Sequence, residues 1–327
     1  MSLGRSSSQA GRFPWSHSIS PKEEAPIRVG GQAVIEGVMM RSPHAMAIAV
    51  RKPDGSIVVK KEGLTFFSEK SFFFNIPLVR GVLSLVSALS LGIRALQFSA
   101  HQALPEEEGQ KEITPWAMGL TFALALSFGI LLFFLLPLFL TKGLRGFFPI
   151  LSTSGLLFNL IDGILRLGIF LLYIRSISLL KEIKRIFQYH GAEHKSIFAF
   201  EAEEPLKVER VKGFGCLHPR CGTNFLLIVM VVSILVFALL PHSLPFGYKV
   251  LSRVVFIPLI AGLSYEIIRF ADRKRHQKGI RLLIQPGLWL QRLTAREPNE
   301  PQIEVALTAL QEVLEMERQQ RRESLMS

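Results

Sequence analysis

Two short blocks concentrate the chain's metal-preferring side chains. Tyr189-His190-Gly191-Ala192-Glu193-His194-Lys195 and Cys216-Leu217-His218-Pro219-Arg220-Cys221-Gly222-Thr223 hold three of the eight histidines and both cysteines. On a helix His190 and His194 stand at i and i+4, so their imidazoles leave one face a turn apart, with Glu193 on the adjoining face. Imidazole and thiolate together suit a borderline divalent metal, zinc first. His-x-x-Glu-His is also the inverted zinc-protease order, in which the two histidines bind metal and the glutamate polarises a water. The nearby Cys-x-His-Pro-x-Cys strengthens a motif that is weak alone. The expected ligands are His190 and His194 with one or more of Cys216, His218 and Cys221. Glu193 is the candidate general base, and Lys195 or Arg220 the candidate to stabilise developing negative charge or to hold an anionic headgroup. Three plainer readings compete. The histidines may be read as ordinary hydrogen-bonding groups, the cysteines as small buried apolar residues, and the whole set as a closed tetrahedral structural site with no room for water.

The elements that must position these groups are those of a membrane protein. The 327 residues are 49% hydrophobic and include 25 Phe, with the apolar residues gathered in continuous runs. Two cysteines exclude a disulfide scaffold and point to a reducing compartment. The net charge of +12 falls outside any nucleic-acid-binding pattern, so no nucleic acid partner is expected. In such a chain it reports membrane orientation and anionic headgroups.

Residues 1–26, rich in Ser, Gly and Pro, read as a disordered lead rather than a cleaved signal. Residues 27–75 read as a small β-rich region with a hairpin, in which Pro53-Asp54-Gly55 makes the turn between Ala45–Lys52 and Ser56–Lys61. The glycines around Glu36 serve tight turns in the plain reading. In the sharper one they present Glu36 and Arg41 from a functional loop. Along residues 76–101, Arg80, Ser84, Ser87, Ser90, Arg94, Gln97 and His101 make one polar stripe, which predicts an amphipathic helix lying in the membrane interface. The alternative is a first spanning helix with that stripe against the bundle.

Residues 116–270 predict four spans, at 116–140, 156–180, 225–240 and 250–270. The first has 25 uncharged residues, enough for a hydrocarbon core of ~30 Å. Asp162 and Arg166 in the second stand i,i+4 and are expected to pair. The loop 181–224 is strongly basic, as is the segment after the fourth span, whereas the turn at 241–248 carries neither Lys nor Arg. This places both termini and the central loop in the cytoplasm of a multi-pass cell-membrane protein. The cytoplasmic tail, 271–327, holds an amphipathic helix with Ile303, Leu307, Leu310 and Leu314 on one face, Asn299 as N-cap and Pro301 in the first turn. Its end, Glu315–Arg322, reads as solvated. The fold class expected is therefore an α-helical integral membrane protein with four transmembrane helices, one interfacial helix and a small cytoplasmic α+β portion.

The blocks Gly30-Gly31-Gln32-Ala33-Val34-Ile35-Glu36-Gly37-Val38-Met39-Met40-Arg41, Tyr189–Lys195 and His218-Pro219-Arg220-Cys221-Gly222-Thr223, with the tail from Pro286-Gly287 through Glu297-Pro298 to Gln302–Ala306, resemble the YqhQ family. The resemblance covers about residues 28–314. That family of bacterial inner-membrane proteins is uncharacterised and described as predicted metal-dependent enzymes, so the resemblance implies a metal-dependent activity and names no substrate. The expected function is a metal-dependent hydrolase acting on a membrane-associated substrate. The alternative is a non-enzymatic scaffold or assembly factor with a structural metal, whose C-terminal helix recruits a protein partner or a second copy. A transporter is the third and weakest reading.

Overall fold

A computed structural model describes residues 27–64, 76–104, 115–219, 221–241, 244–274 and 277–326. The lead at 1–26 and Arg220 lie outside the described residues. The β-rich region is more than a hairpin. Strands β1 (Gly30–Val34), β2 (Gly37–Arg41), β3 (Ala45–Arg51) and β4 (Ile57–Gly63) form an antiparallel meander in sequence order. The Pro-Asp-Gly turn closes β3 onto β4 as its residues dictate, with Gly55 at φ 87° and Lys52 N–H donating to the Ser56 carbonyl at 2.8 Å.

Both faces of the central strands are covered, which explains why their sequence lacks a polar alternation. Ala45, Ala47 and Ala49 with Val38 and Met40 face one apolar cluster, while Met46, Ile48 and Val50 with Met39 face another. Side chains alternate across a strand, so successive residues serve opposite layers. The alanine face admits the tail helix α12 (Glu300–Met326) and the helix α6 (Lys181–Glu201). The larger face packs on Leu91 and Ala95 of α1 (Val79–Ala103).

The tail helix begins as its sequence predicts. Asn299 Oδ1 accepts from Gln302 N–H and Gln302 Oε1 accepts from Asn299 N–H, both at 3.0 Å, a reciprocal cap. Ile303, Leu307, Leu310 and Leu314 are all buried in the chain's own core. The expectation of a solvated end is corrected at Glu317. Its carboxylate is fully buried and accepts from Ser42 Oγ at 2.7 Å and His44 N–H at 3.0 Å, tying the helix to the β2–β3 turn. Burial alone would raise the Glu317 carboxyl. The hydrogen bonds from His44, Ser42 and Arg321 reverse that and hold it below the usual range.

The remaining helices are α2 (Pro115–Ile130), running through a π turn at Leu131–Leu135 into α3 (Leu136–Leu144), then α4 (Ile150–Thr153), α5 (Gly155–Ile177), α7 (Val208–Val211), α8 (Gly222–Ala238), α9 (Phe246–Val255), α10 (Ile257–Arg273) and α11 (Lys278–Thr294). Among the described residues three helices are long and apolar enough to cross a membrane, at 79–103, 119–144 and 155–177; the bent pair α9–α10 would make a fourth. This set differs from the predicted one. Helix α8 is apolar but has only 17 residues, and the last predicted span is broken by 44° between Val255 and Ile257. Helix α1, expected at the interface, ties part of its polar stripe to the fold, Arg80 pairing with Glu266 of α10 and Arg94 with Glu62 of β4, while Ser90, Gln97 and His101 stay exposed. Its apolar residues divide, Leu91 and Ala95 buried on the sheet and Val86 and Leu89 facing outward. Gly81 and Gly262 let α1 and α10 touch backbone to backbone.

Candidate metal centre

The first half of the central basic segment is helix α6. Helix α6 places His190 and His194 on one face as the i,i+4 spacing requires, their rings 4.3 Å apart. Cys221, the N-cap of α8, arrives from the other side of the cavity. The ligand atoms of His190, His194 and Cys221 all lie within 4.8 Å of one another, a group that could hold a metal ion.

The tautomers decide what this group can do. His190 Nδ1 is 2.7 Å from the Thr294 carbonyl oxygen. His194 Nδ1 is hydrogen-bonded to the Cys216 carbonyl oxygen. A carbonyl only accepts, so each Nδ1 carries the proton and each Nε2 keeps its lone pair. His190 Nε2 lies 3.1 Å from Cys221 Sγ. His194 Nε2 is buried and makes no hydrogen bond. Burial also holds the His194 imidazole below its usual range and therefore neutral. Two imidazoles with carbonyl-fixed Nδ1–H groups and their Nε2 atoms turned toward a sulfur are the donor set and outer support of a zinc-type site. The residues fit the metal.

Local sequence builds this arrangement. A Cβ at Gly191 would lie 1.9 Å from the Arg296 carbonyl oxygen, so only glycine lets the tail cross α6 there. Arg296 N–H donates to the Phe187 carbonyl at 2.8 Å and holds the crossing in register. That register delivers the Thr294 carbonyl to His190. On the other side, buried Gln291 brackets the backbone of His218, accepting from its N–H at 2.8 Å and donating to its carbonyl at 2.9 Å. It also donates to Asn224 Oδ1, and a Cβ at Gly287 would collide with that same oxygen at 2.2 Å. Helix α11 thereby sets the approach of the Cys221 turn. The sequence reading gave Thr294 and Gln291 no role. A backbone carbonyl leaves no trace in residue type, and a glutamine that serves a backbone looks like any other.

Glu193 lines the same cavity of about 580 Å³ with His190, His194, His218 and Cys221. Its carboxyl is pushed up by burial, against the opposing charges of His190 and His218 and a hydrogen bond from Gly31 N–H. A Cβ at Gly31 would lie 2.7 Å from Glu193 Cγ, so β1 and α6 meet face to face at this carboxylate. Arg41 also lines the cavity, and burial lowers its guanidinium from the ordinary value.

The other sequence candidates sit elsewhere. Cys216 turns its thiol to Glu297 Oε2 at 3.2 Å, and burial together with that carboxylate pushes it up to about 12, so it enters the centre only through its carbonyl. His218 lines the cavity, yet its Nε2 faces Glu201 at 3.5 Å and its ring packs on Phe198. Lys195 is buried against Glu297 Oε1 at 2.6 Å and the Lys212 carbonyl at 2.8 Å. It anchors the tail. Glu36, in the left-handed region at φ 50°, binds Arg185 and Tyr189 on the outer flank of α6.

Comparison with known proteins agrees with the resemblance seen in the motifs. A family model described as "Protein of unknown function (DUF1385)" matches residues 76–316. The uncharacterized protein YqhQ of Bacillus subtilis (strain 168) is similar to this chain, 36% identical over 309 residues covering 90% of this chain and 95% of that one. No solved structure matches. The chain belongs to the DUF1385 family.

Proposed function

We propose that this DUF1385-family chain is a membrane metalloenzyme, a zinc-dependent hydrolase whose site faces the cytoplasm and acts on a membrane-associated substrate. The observation that carries the reading is the pair of imidazoles whose Nδ1 protons go to backbone carbonyls, leaving both Nε2 lone pairs in a cavity beside Cys221. A divalent ion held by His190, His194 and Cys221 would supply Lewis acidity toward a water or a substrate oxygen.

The chain's own groups have distinct tasks. Glu193, buried in the cavity with its carboxyl raised by that burial, can accept a proton and return it. The Gly31 N–H fixes the orientation of that carboxylate. Arg41 places a cation in the cavity for an anionic substrate group. Ala88 and Leu91 of α1, Ile174 and Ile177 of α5 and Leu226 of α8 give the cavity apolar walls drawn from the helices that approach the membrane. Such walls suit the alkyl part of an amphipathic molecule. Among the described residues the cluster offers three donors, and three protein ligands with a vacancy are the mark of catalytic rather than closed structural zinc.

The cytoplasmic placement follows from where the cations lie. The sheet, α6 and α12 form one core, and α6 belongs to the basic central segment, the side that the positive-inside rule assigns to the cytoplasm. Helix α1 has its first turn beside Gly262 and its later turns on the sheet. That supports a helix which dips into the bilayer and returns its end to the cytoplasmic layer without crossing.

Metal analysis of purified protein tests the reading. Wild type should carry stoichiometric zinc, and His190→Ala and His194→Ala should each lose it; a wild type without metal would overturn the site. Glu193→Gln should keep zinc and fold but fail to complement a deletion strain. Full complementation by Glu193→Gln would favour the scaffold.

A further inference from the structure

We propose that the helical bundle holds a second, separate site, for one phosphate-class anion, at Arg166 of α5 and Arg253 of α9. Arg166 lies two turns before Ile174, whose side chain reaches the metal cavity, so ~12 Å of helix separates the two places.

Asp162 Oδ2 accepts from Arg166 Nη2 at 2.8 Å and from Arg253 Nη2 at 2.9 Å. All three side chains are 1% exposed. One carboxylate against two guanidiniums leaves a positive charge uncompensated in a bundle of apolar helices, where isolated charge is strongly disfavoured. Two further cations lie close by. Arg145 and Lys249 both lie over the Phe158 ring, with Arg145 Cζ at 4.3 Å and Lys249 Nζ at 5.0 Å from its centroid. Arg166 and Arg253 share the ring of Phe237, at 5.0 and 3.9 Å. Ring faces attract cations but carry no net charge, so they cannot balance the cluster.

The hydrogen bonding is incomplete in the same place. Among the described residues Arg253 Nε and Nη1 and Arg166 Nε are buried with no hydrogen-bond partner. Buried guanidinium groups ordinarily satisfy their donors, and the planar fork of arginine matches the oxygens of phosphate. Asp162 Oδ1 is likewise buried and without a partner, which suits a ligand with one O–H beside its anionic oxygens. The dihydrogen form of inorganic phosphate has that pattern, and so has a phosphodiester with a hydroxylated headgroup, as in phosphatidylglycerol. The lipid is the nearer source, because Leu251, Val254 and Val255 on the same short helix as Arg253 present apolar side chains outward.

The test compares wild type with Arg253→Gln, which leaves a balanced Asp162–Arg166 pair, by thermal unfolding in nanodiscs. Three conditions are used, phosphatidylcholine, phosphatidylglycerol, and phosphatidylcholine with inorganic phosphate. Wild type should melt several degrees higher in phosphatidylglycerol than in phosphatidylcholine, and Arg253→Gln should melt alike in both. A rise with inorganic phosphate in wild type alone also supports the site and identifies free phosphate as its source. Equal responses of the two proteins, or none in wild type, overturn the proposal, because other basic surfaces are unchanged by the substitution. If Arg253→Gln does not fold, Arg166→Gln removes the same charge and is read in the same way.

Discussion

At the scale of single residues, the two cysteines show how little residue type says about role. Both lie in one eight-residue block, yet Cys221 brings its sulfur to the histidine pair while Cys216 gives only its carbonyl. Cys216→Ser should therefore leave metal content unchanged, whereas Cys221→Ser should weaken metal binding by at least an order of magnitude, as measured by chelator competition. Gly191 makes a sharper case, because its role lies in the contact it permits. Gly191→Ala should push the Arg296 carbonyl off α6 and carry the Thr294 carbonyl away from His190. Loss of such an outer-shell partner costs about 10- to 100-fold in metal affinity. The same competition assay measures it, with circular dichroism to check that the helices remain.

At the scale of elements, the tail helix shows how a legible pattern can still hide its last contact. Its apolar stripe and its Asn299 cap were readable, since 3.6-residue periodicity and capping chemistry are local properties. Asn299→Ala should destabilise the chain by about 1 kcal/mol in chemical denaturation. The burial of Glu317 was not readable, because its partners Ser42 and His44 stand more than 270 residues away in sequence. Glu317→Ala should cost about 1–3 kcal/mol, the range for orphaning buried hydrogen-bond groups. The sign of its pH effect follows from linkage. The folded-state carboxyl lies below its ordinary value of 4.5, so its stabilisation is complete above that pH. It is lost as pH falls through the lower folded value. Thermal stability should drop below about pH 4.5 in wild type, and Glu317→Gln should flatten that part of the profile.

For the whole molecule, the sheet, the central helix and the tail form one layer, and the long apolar helices another, with the metal cluster where the two layers meet. The proposed orientation makes a prediction about access. In intact cells a membrane-impermeant maleimide should label Leu239→Cys, near the turn that follows α8, and should not label Ser56→Cys, in the β3–β4 turn. Both positions are exposed, so accessibility within the fold does not confound the result. Labelling of Ser56→Cys from outside would invert the topology and place the metal cluster on the other face.

The sequence by itself determined the motif pair, the long apolar helices, the Pro-Asp-Gly turn and the register of the tail helix. Each rests on interactions between residues a few positions apart. Tertiary structure decided which sulfur meets the histidines, which nitrogen of each imidazole is left open, and that Lys195 and Glu36 serve packing rather than the cavity. It also decided that Arg80 and Arg94 of the α1 stripe pair with Glu266 and Glu62. These outcomes depend on backbone carbonyls and close crossings brought together from the tail, α8 and β1. A carbonyl is the same in every residue, so only the folded chain reveals where it points.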